Sequence, residues 1–303
     1  MSTDKSFFYI GYPKSGATRL RSFLEGYEGV TLLKLGPSGI SRDLIGAPAP
    51  IAYREDEAEI HVRKVLADCP AGKPRFIFSE RLAGLYYCGH YDALAIANRI
   101  HRFCPEARVV ITIREQKSII SSIYRWYVRN GGTVPPEQFL NPREDITYPR
   151  FSWQAYEYHH LIFHYARLFG RENVLVLPQE DLRKSIPDYF KTFCDFAGID
   201  CPEKIADQIS NPGISNKETE TRRLVNLFRK NTEADAFRDP TPLQNPVLRA
   251  IAQPFLGLVS AVTGGQDRHV RFIRENFTGK YCESNNLLSD YLGRDLSLMG
   301  YEM

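Results

Sequence analysis

The chain of 303 residues carries 39 Lys and Arg against 36 Asp and Glu, a formal charge of +3, with 43% hydrophobic and 25% charged residues. These proportions exclude intrinsic disorder, a collagen repeat and a long coiled coil. A chain of this length buries roughly 75% of the surface that its unfolded form exposes, enough to hold a core without metal or disulfide. The near balance of charge excludes a protein that coats nucleic acid, yet it leaves room for a local basic pocket that takes one small anion.

In chain order, residues 7–10 read as a short buried strand, 11–16 as a glycine-bounded turn, and 18–25, with apolar residues at helical spacing, as a helix. Residues 37–52, rich in Pro, Gly and Ser, read as a surface loop. A helix is expected over 56–69, a strand over 75–79, a helix over 92–103, a strand over 107–113 and a helix over 116–130. Residues 131–150 hold four prolines and little periodicity, a second surface loop where ligand-specific contacts could sit. A helix over 153–169, a strand over 173–177 and a helix over 186–197 follow. Beyond residue 200 the pattern is helical; 218–231 is strongly amphipathic, with Arg222 and Arg223 expected on its solvated face.

Strands alternating with helices imply parallel strands joined by right-handed crossovers. The expected fold is therefore α/β: three layers, with a central parallel sheet flanked by helices over about 6–200 and a helical C-terminal part over about 201–303. No repeat or low-complexity stretch marks a boundary, so one domain over 1–303 is expected.

Six cysteines, Cys69, Cys88, Cys104, Cys194, Cys201 and Cys282, are scattered without a CxxC pair. They read as reduced thiols of a cytoplasmic protein. The apolar start at 7–10 is too short for a signal sequence. The most apolar segment, 250–263, includes Gln253 and Pro254 and falls short of the ~20 residues of a membrane helix. It reads as a buried helix, with peripheral membrane contact as the alternative.

Gly11-Tyr-Pro-Lys-Ser-Gly-Ala-Thr18 has the G-x-x-x-x-G spacing of a phosphate-binding loop between a strand and a helix. The lysine that follows the second glycine in nucleoside triphosphatases is replaced by Ala17, while Lys14 lies inside the loop, which disfavours a triphosphate. Lys14 still places a point charge beside a bound phosphate. A second anion site is suggested where the strand ending at Ile113 leads into a helix. There Arg114 offers a bidentate fork, and Ser122 follows eight residues later. Both sites fall at C-terminal strand ends, which suggests a ligand with two separated phosphates.

Tyr12-Pro-Lys-Ser-Gly-Ala-Thr18 resembles the 5'-phosphosulfate loop of sulfotransferases that use 3'-phosphoadenosine 5'-phosphosulfate (PAPS), and Arg114 with Ser122 matches their 3'-phosphate motif. Asn173-Val-Leu-Val-Leu-Pro-Gln-Glu-Asp-Leu182 and Cys282-Glu-Ser-Asn-Asn-Leu287 are similar to later parts of the family more loosely. The resemblance implies that Lys14 binds the phosphosulfate and stabilises charge on the leaving phosphate. It also implies that Ser15, Gly16, Ala17 and Thr18 hold the same group, and that Arg114 and Ser122 bind the 3'-phosphate. PAPS would be the donor and 3',5'-adenosine bisphosphate (PAP) the product, with no metal. Arg19 stands where small-molecule members usually carry Trp, closer to the carbohydrate sulfotransferases. Ala17 replaces Gly or Thr, and Gln179 replaces a frequent Tyr.

A base must take the proton of the acceptor as it attacks sulfur. Glu80 follows a strand at the expected edge, and Phe76-Ile-Phe-Ser-Glu-Arg81 resembles, offset by one residue, the Phe-Glu-Lys stretch of glycan sulfotransferases, where Glu is the base. Pairing of Glu80 with Arg81 is the structural alternative, and His90 the other candidate base. His101, His159, His160 and His164 read as helix-face residues rather than metal ligands. The acceptor reads as a carbohydrate or glycoconjugate, with a lipid or small natural product as alternative. A nucleotide kinase and a silent nucleotide-binding protein are the other readings.

Overall fold

The computed structural model describes residues 5–34, 40–45, 50–141, 151–203, 205, 214–227 and 267–303. Its chain divides into two compact units: Met1–Glu115 with Ser152–Ser210 and Cys282–Met303, and Gln116–Phe151 with Asn211–Tyr281.

The first unit is built on one parallel sheet. Its strands, β1 (Ser6–Tyr9), β2 (Thr31–Lys34), β3 (Arg75–Phe78), β4 (Arg108–Ile113) and β5 (Val174–Pro178), lie in the order β2-β3-β1-β4-β5. Phe7 pairs with Phe76 on one side and Arg108 on the other, and Val110 pairs with Leu175. Side chains of a strand alternate between faces. Phe7, Tyr9, Phe76, Phe78 and Val110 accordingly share one core cluster with Ala17, Leu20 and Leu24 of α1 (Ala17–Glu25) and Phe190 and Phe193 of α9 (Ile186–Ala197). The intervening residues Phe8, Ile77, Val109 and Ile111 are equally buried on the other face. There α4 (Ala93–Phe103) packs on α7 (His159–Phe169), and α7 packs on β4 and β5. The three-layer α/β expectation holds.

Local signals set the helix ends. Ser185 caps α9 by accepting the Asp188 amide at 3.3 Å, proline occupies its first turn, and Gly198 leaves it at φ 69°. The expected strands and most helices recur within two residues of their predicted ends. The helix expected over 153–169 is interrupted: a 3-10 turn (Gln154–Tyr156) precedes α7, separated by Glu157 and Tyr158. The two stretches read as loops hold short helices, α2 (Ile40–Ile45) and α6 (Pro136–Leu140). Helices α3 (Glu55–Ala67) and α8 (Gln179–Lys184) complete the part before residue 200 in this unit, and α12 (Cys282–Leu292) closes it. The apolar segment 250–263 lies outside the described residues.

The second unit is helical: α5 (Gln116–Arg129), α6, α10 (Asn216–Asn226) and α11 (Arg268–Phe277). Ser215 and Glu218 form a capping box at the start of α10. Arg223, expected in solvent, is instead 8% exposed. Its guanidinium donates to both carboxylate oxygens of Glu220 and to the Thr133 carbonyl at 2.9 Å, so the charge is paired and its third nitrogen is engaged inside the unit. Asn226 donates to the carbonyls of Val128 at 2.7 Å and Gly132 at 2.9 Å, tying α10 to the end of α5. No described helix is long and apolar enough to cross a membrane.

Candidate functional site

Strand β1 ends at Tyr9, and the chain turns through Gly11–Gly16 into α1. The backbone follows the neighbouring strand as it leaves, with the Ile10 and Tyr12 amides donating to Val110 and Thr112 carbonyls at 2.8 and 3.2 Å. A run of hydroxyls then fixes the loop from inside. Tyr9 Oη lies 2.6 Å from Thr112 Oγ1, which lies 2.7 Å from Ser15 Oγ, and Ser15 donates to the Tyr12 carbonyl. Such a chain is self-reinforcing in a buried setting. The Ser15 hydroxyl, fully buried, thus faces the sheet. Glycine is required twice. A Cβ on Gly11 would fall 1.9 Å from Tyr9 Oη, and Gly16 sits at φ 103°.

Lys14 is held at φ 70°, one of two positive-φ non-glycine residues described. A side chain in that region costs on the order of 1–2 kcal/mol, a strain characteristic of functional positions. No side chain caps α1, whose N-cap is Gly16. The first amides of a helix lack intrahelical partners and carry the positive end of its dipole, the local requirement for holding an anion. Ala17 is buried, Thr18 exposed and Arg19 half-buried. Beside Gly16 lie Gln179 and Leu182 of α8, and Gln179 Oε1 is buried without a hydrogen-bond partner.

Arg114, directly after β4, donates to the Lys14 carbonyl at 3.3 Å, so the structure brings these two predicted residues together. Its own carbonyl accepts from Tyr158 Oη at 2.6 Å. The next amide, of Glu115, donates to Glu180 Oε1, whose other oxygen accepts from Tyr301 Oη, each at 3.1 Å. Tyr158, Glu180 and Tyr301 escaped the sequence reading because they are brought in from the start of α7, from α8 and from the C-terminal segment by the fold alone. Ser122 is buried on α5, in the second unit.

Glu80 opens a 3-10 turn after β3, capped by Ser79, which accepts the Arg81 amide at 3.1 Å. The pairing with Arg81 is not formed: Arg81 goes to Asp92 at 2.5 Å. The half-buried Glu80 carboxylate has no hydrogen bond or ion pair to any described residue. Burial pushes its pKa above the usual carboxylate range, and the charges of Arg21 and Lys14 pull it back down. His90 is enclosed. Its Nδ1 donates to the Ala83 carbonyl at 2.7 Å, Nε2 lies 3.5 Å from Tyr156 Oη, and burial lowers its pKa to about 4. Both ring nitrogens are therefore occupied.

The four histidines read as helix-face residues have ordinary partners: His101 meets the Phe169 ring edge-on, His159 bonds Ser284, His160 lies 3.7 Å from Glu157, and His164 bonds Asn98 and Arg167. No group of His, Cys, Asp and Glu able to hold a metal occurs among the described residues. All six cysteines are free thiols.

No family model and no curated protein matches this sequence. Solved structures do. A sulfotransferase from Alicyclobacillus acidocaldarius is 17% identical and superposes over 98% of both chains with a TM-score of 0.57. A mouse sulfotransferase complexed with PAP is 15% identical over 96% of this chain and 89% of its own, at TM-score 0.44. The sulfotransferase domain of the Synechococcus PCC 7002 olefin synthase is 18% identical over 85% of this chain and 94% of its own, at 0.42. The bacterial overlay defines the architecture: this chain has the sulfotransferase fold.

Proposed function

We propose that the chain is a PAPS-dependent sulfotransferase, one catalytic domain over residues 1–303 working in the cytoplasm, that moves a sulfuryl group to an acceptor hydroxyl. One observation carries this reading: Lys14, Glu80 and Arg114 leave the C-terminal ends of β1, β3 and β4, three adjacent strands of one sheet. In an open α/β sheet that edge is where ligands bind.

The residues fit the donor. The strained Lys14 and the uncapped start of α1 at Gly16, Ala17 and Thr18 supply a cation and free amides suited to an anionic group. When bound there, PAPS supplies the activated sulfuryl group. Lys14 neutralises charge on the 5'-phosphate side, Arg19 of α1 joins it in binding the donor, and Ser15 shapes the loop from within. Arg114 takes the 3'-phosphate; its position against the Lys14 carbonyl supports that role. Glu80 accepts the proton of the acceptor hydroxyl, since its carboxylate is uncommitted and its raised pKa strengthens it as a base. The contacts at both His90 nitrogens favour Glu80 over it for that task. A carbohydrate or glycoconjugate is the acceptor favoured by Arg19 and Glu80, ahead of a lipid or small natural product.

Calorimetric titration with PAP, set beside ATP, ADP and AMP, tests the reading. PAP binds selectively, and Arg114→Ala weakens it on the order of 10- to 100-fold, the effect of losing one charged hydrogen bond. Lys14→Ala abolishes transfer. Preference for ATP, or no binding of any of the four, overturns the proposal.

A further inference from the structure

Arg21 has no task in the mechanism so far. It stands on α1, four residues after Ala17, half-buried, with its guanidinium carbon 5.1 Å from the centre of the Phe78 ring. Phe78 ends β3 and is itself stacked on Tyr9, with ring centres 3.9 Å apart. A planar cation laid on an immobilised ring has little rotamer freedom, so its charge is held in place rather than sweeping through solvent. Glu80 follows Phe78 by two residues, in a capped turn that limits its own movement.

Among the described residues, the titratable groups whose charge bears on Glu80 come from three places: Arg21 on α1, Lys14 in the loop and the Tyr9 hydroxyl on β1. Arg81 is committed to Asp92, and Tyr9, buried, stays neutral. Two cations therefore oppose the burial of Glu80, and Arg21 is the larger influence. Their fates differ once an anionic donor enters the loop. Lys14 then spends its field on the donor, whose negative charge also disfavours an ionised carboxylate nearby. Among the described residues, only Arg21, outside the loop, is left to Glu80.

We propose that Arg21 is the positioning residue of the proton acceptor: fixed on Phe78, it keeps Glu80 ionised in its half-buried seat while Lys14 serves the donor. This rests on Glu80 being the base. Carboxyl-carbon NMR of the full chain labelled at glutamate, titrated with and without PAP, tests it. Glu80→Gln identifies the resonance, and Arg21→Gln and Arg21→Lys are the variants. The Glu80 midpoint moves upward in Arg21→Gln, further with PAP bound, and far less in Arg21→Lys, while other glutamates stay in place. PAP affinity changes by less than about twofold, because a side chain outside the loop contributes no direct contact. With PAPS and water as the probe reaction, release of PAP by Arg21→Gln falls severalfold at low pH and recovers as pH rises. An unmoved Glu80 midpoint in a folded Arg21→Gln protein overturns the proposal, and should that variant not fold, an unmoved midpoint in Arg21→Met does so. Wild-type turnover by Glu80→Gln would instead overturn the base assignment, and the NMR titration would still read the Arg21 effect.

Discussion

Glu80 is held in a seat where its charged form is disfavoured, and the consequence for stability has a definite sign. Burial raises its folded pKa above the unfolded value of about 4.3, so the folded chain binds that proton more tightly than the unfolded one. The stability contributed by the protonated acid is complete below the unfolded pKa and is lost as pH rises through the folded pKa. Glu80→Gln cannot ionise and keeps it. Thermal melts should place the variant above wild type, on the order of a degree at pH 7 to 8, with the two curves meeting near pH 4. The opposite sign would show that the carboxylate is stabilised in the fold. Lys14 presents a similar trade between stability and function. At φ 70° a glycine relieves about 1 kcal/mol of strain, offset in part by its extra unfolded-state entropy. Lys14→Gly should therefore melt no lower than wild type and yet lose PAP binding at least tenfold by calorimetry.

At the scale of elements, short polar links decide what the sequence cannot announce. Asn226 supplies two buried hydrogen bonds from α10 to carbonyls at the end of α5. Asn226→Ala leaves both carbonyls without that donor and should cost about 2 kcal/mol in urea unfolding; a loss under 0.5 kcal/mol would mean that water replaces the amide. Neither this link nor the burial of Arg223 is legible beforehand, because the partners Thr133, Val128 and Gly132 lie some ninety residues away in the chain. What is legible is whatever the local pattern encodes. Four of the five strands are apolar runs of strand length; the fifth, β2, is an edge strand whose Thr31 to Leu33 are only half-buried, so no continuous apolar run marks it. The helix expected over 153–169 fits the periodicity, yet the chain breaks it at Glu157 and Tyr158, and the Tyr158 hydroxyl holds the Arg114 carbonyl. Lys14, Arg114 and Glu80 could be placed from sequence because each lies in the loop or turn that leaves a strand, and a parallel sheet gathers strand ends at one edge. Their supports, Arg21 on Phe78, Tyr158, and Glu180 with Tyr301, depend on packing between distant segments.

Over the whole molecule, two histidines bind the response to acid. His90 lies in the first unit and His269 in the second; each is buried, and burial lowers each pKa to about 4. Below the ordinary value of about 6.5 the unfolded chain takes up these protons and the folded chain does not. Stability is therefore complete above the unfolded pKa and falls as pH drops toward 4, at about 1.4 kcal/mol per pH unit for each histidine. Surface carboxylates act later: Glu59 and Glu218, held low by Arg63 and by Ser215, lose their contribution only below the ordinary glutamate range. Glu80 runs the other way, gaining protonation as pH falls. Chemical unfolding between pH 7 and 4.5 should show a steep loss in wild type. His90→Gln and His269→Gln should each remove part of that slope, and the double variant more than either, leaving the part due to His159 and His164, which burial also lowers, even if all three start from a lower stability at pH 7. His90→Gln keeps a donor for the Ala83 carbonyl, which limits its cost. A slope unchanged in the double variant would mean that the two rings are already protonated in the folded chain. In that case His90 would need both nitrogens as donors, and Tyr156 would have to turn its hydroxyl from donor to acceptor.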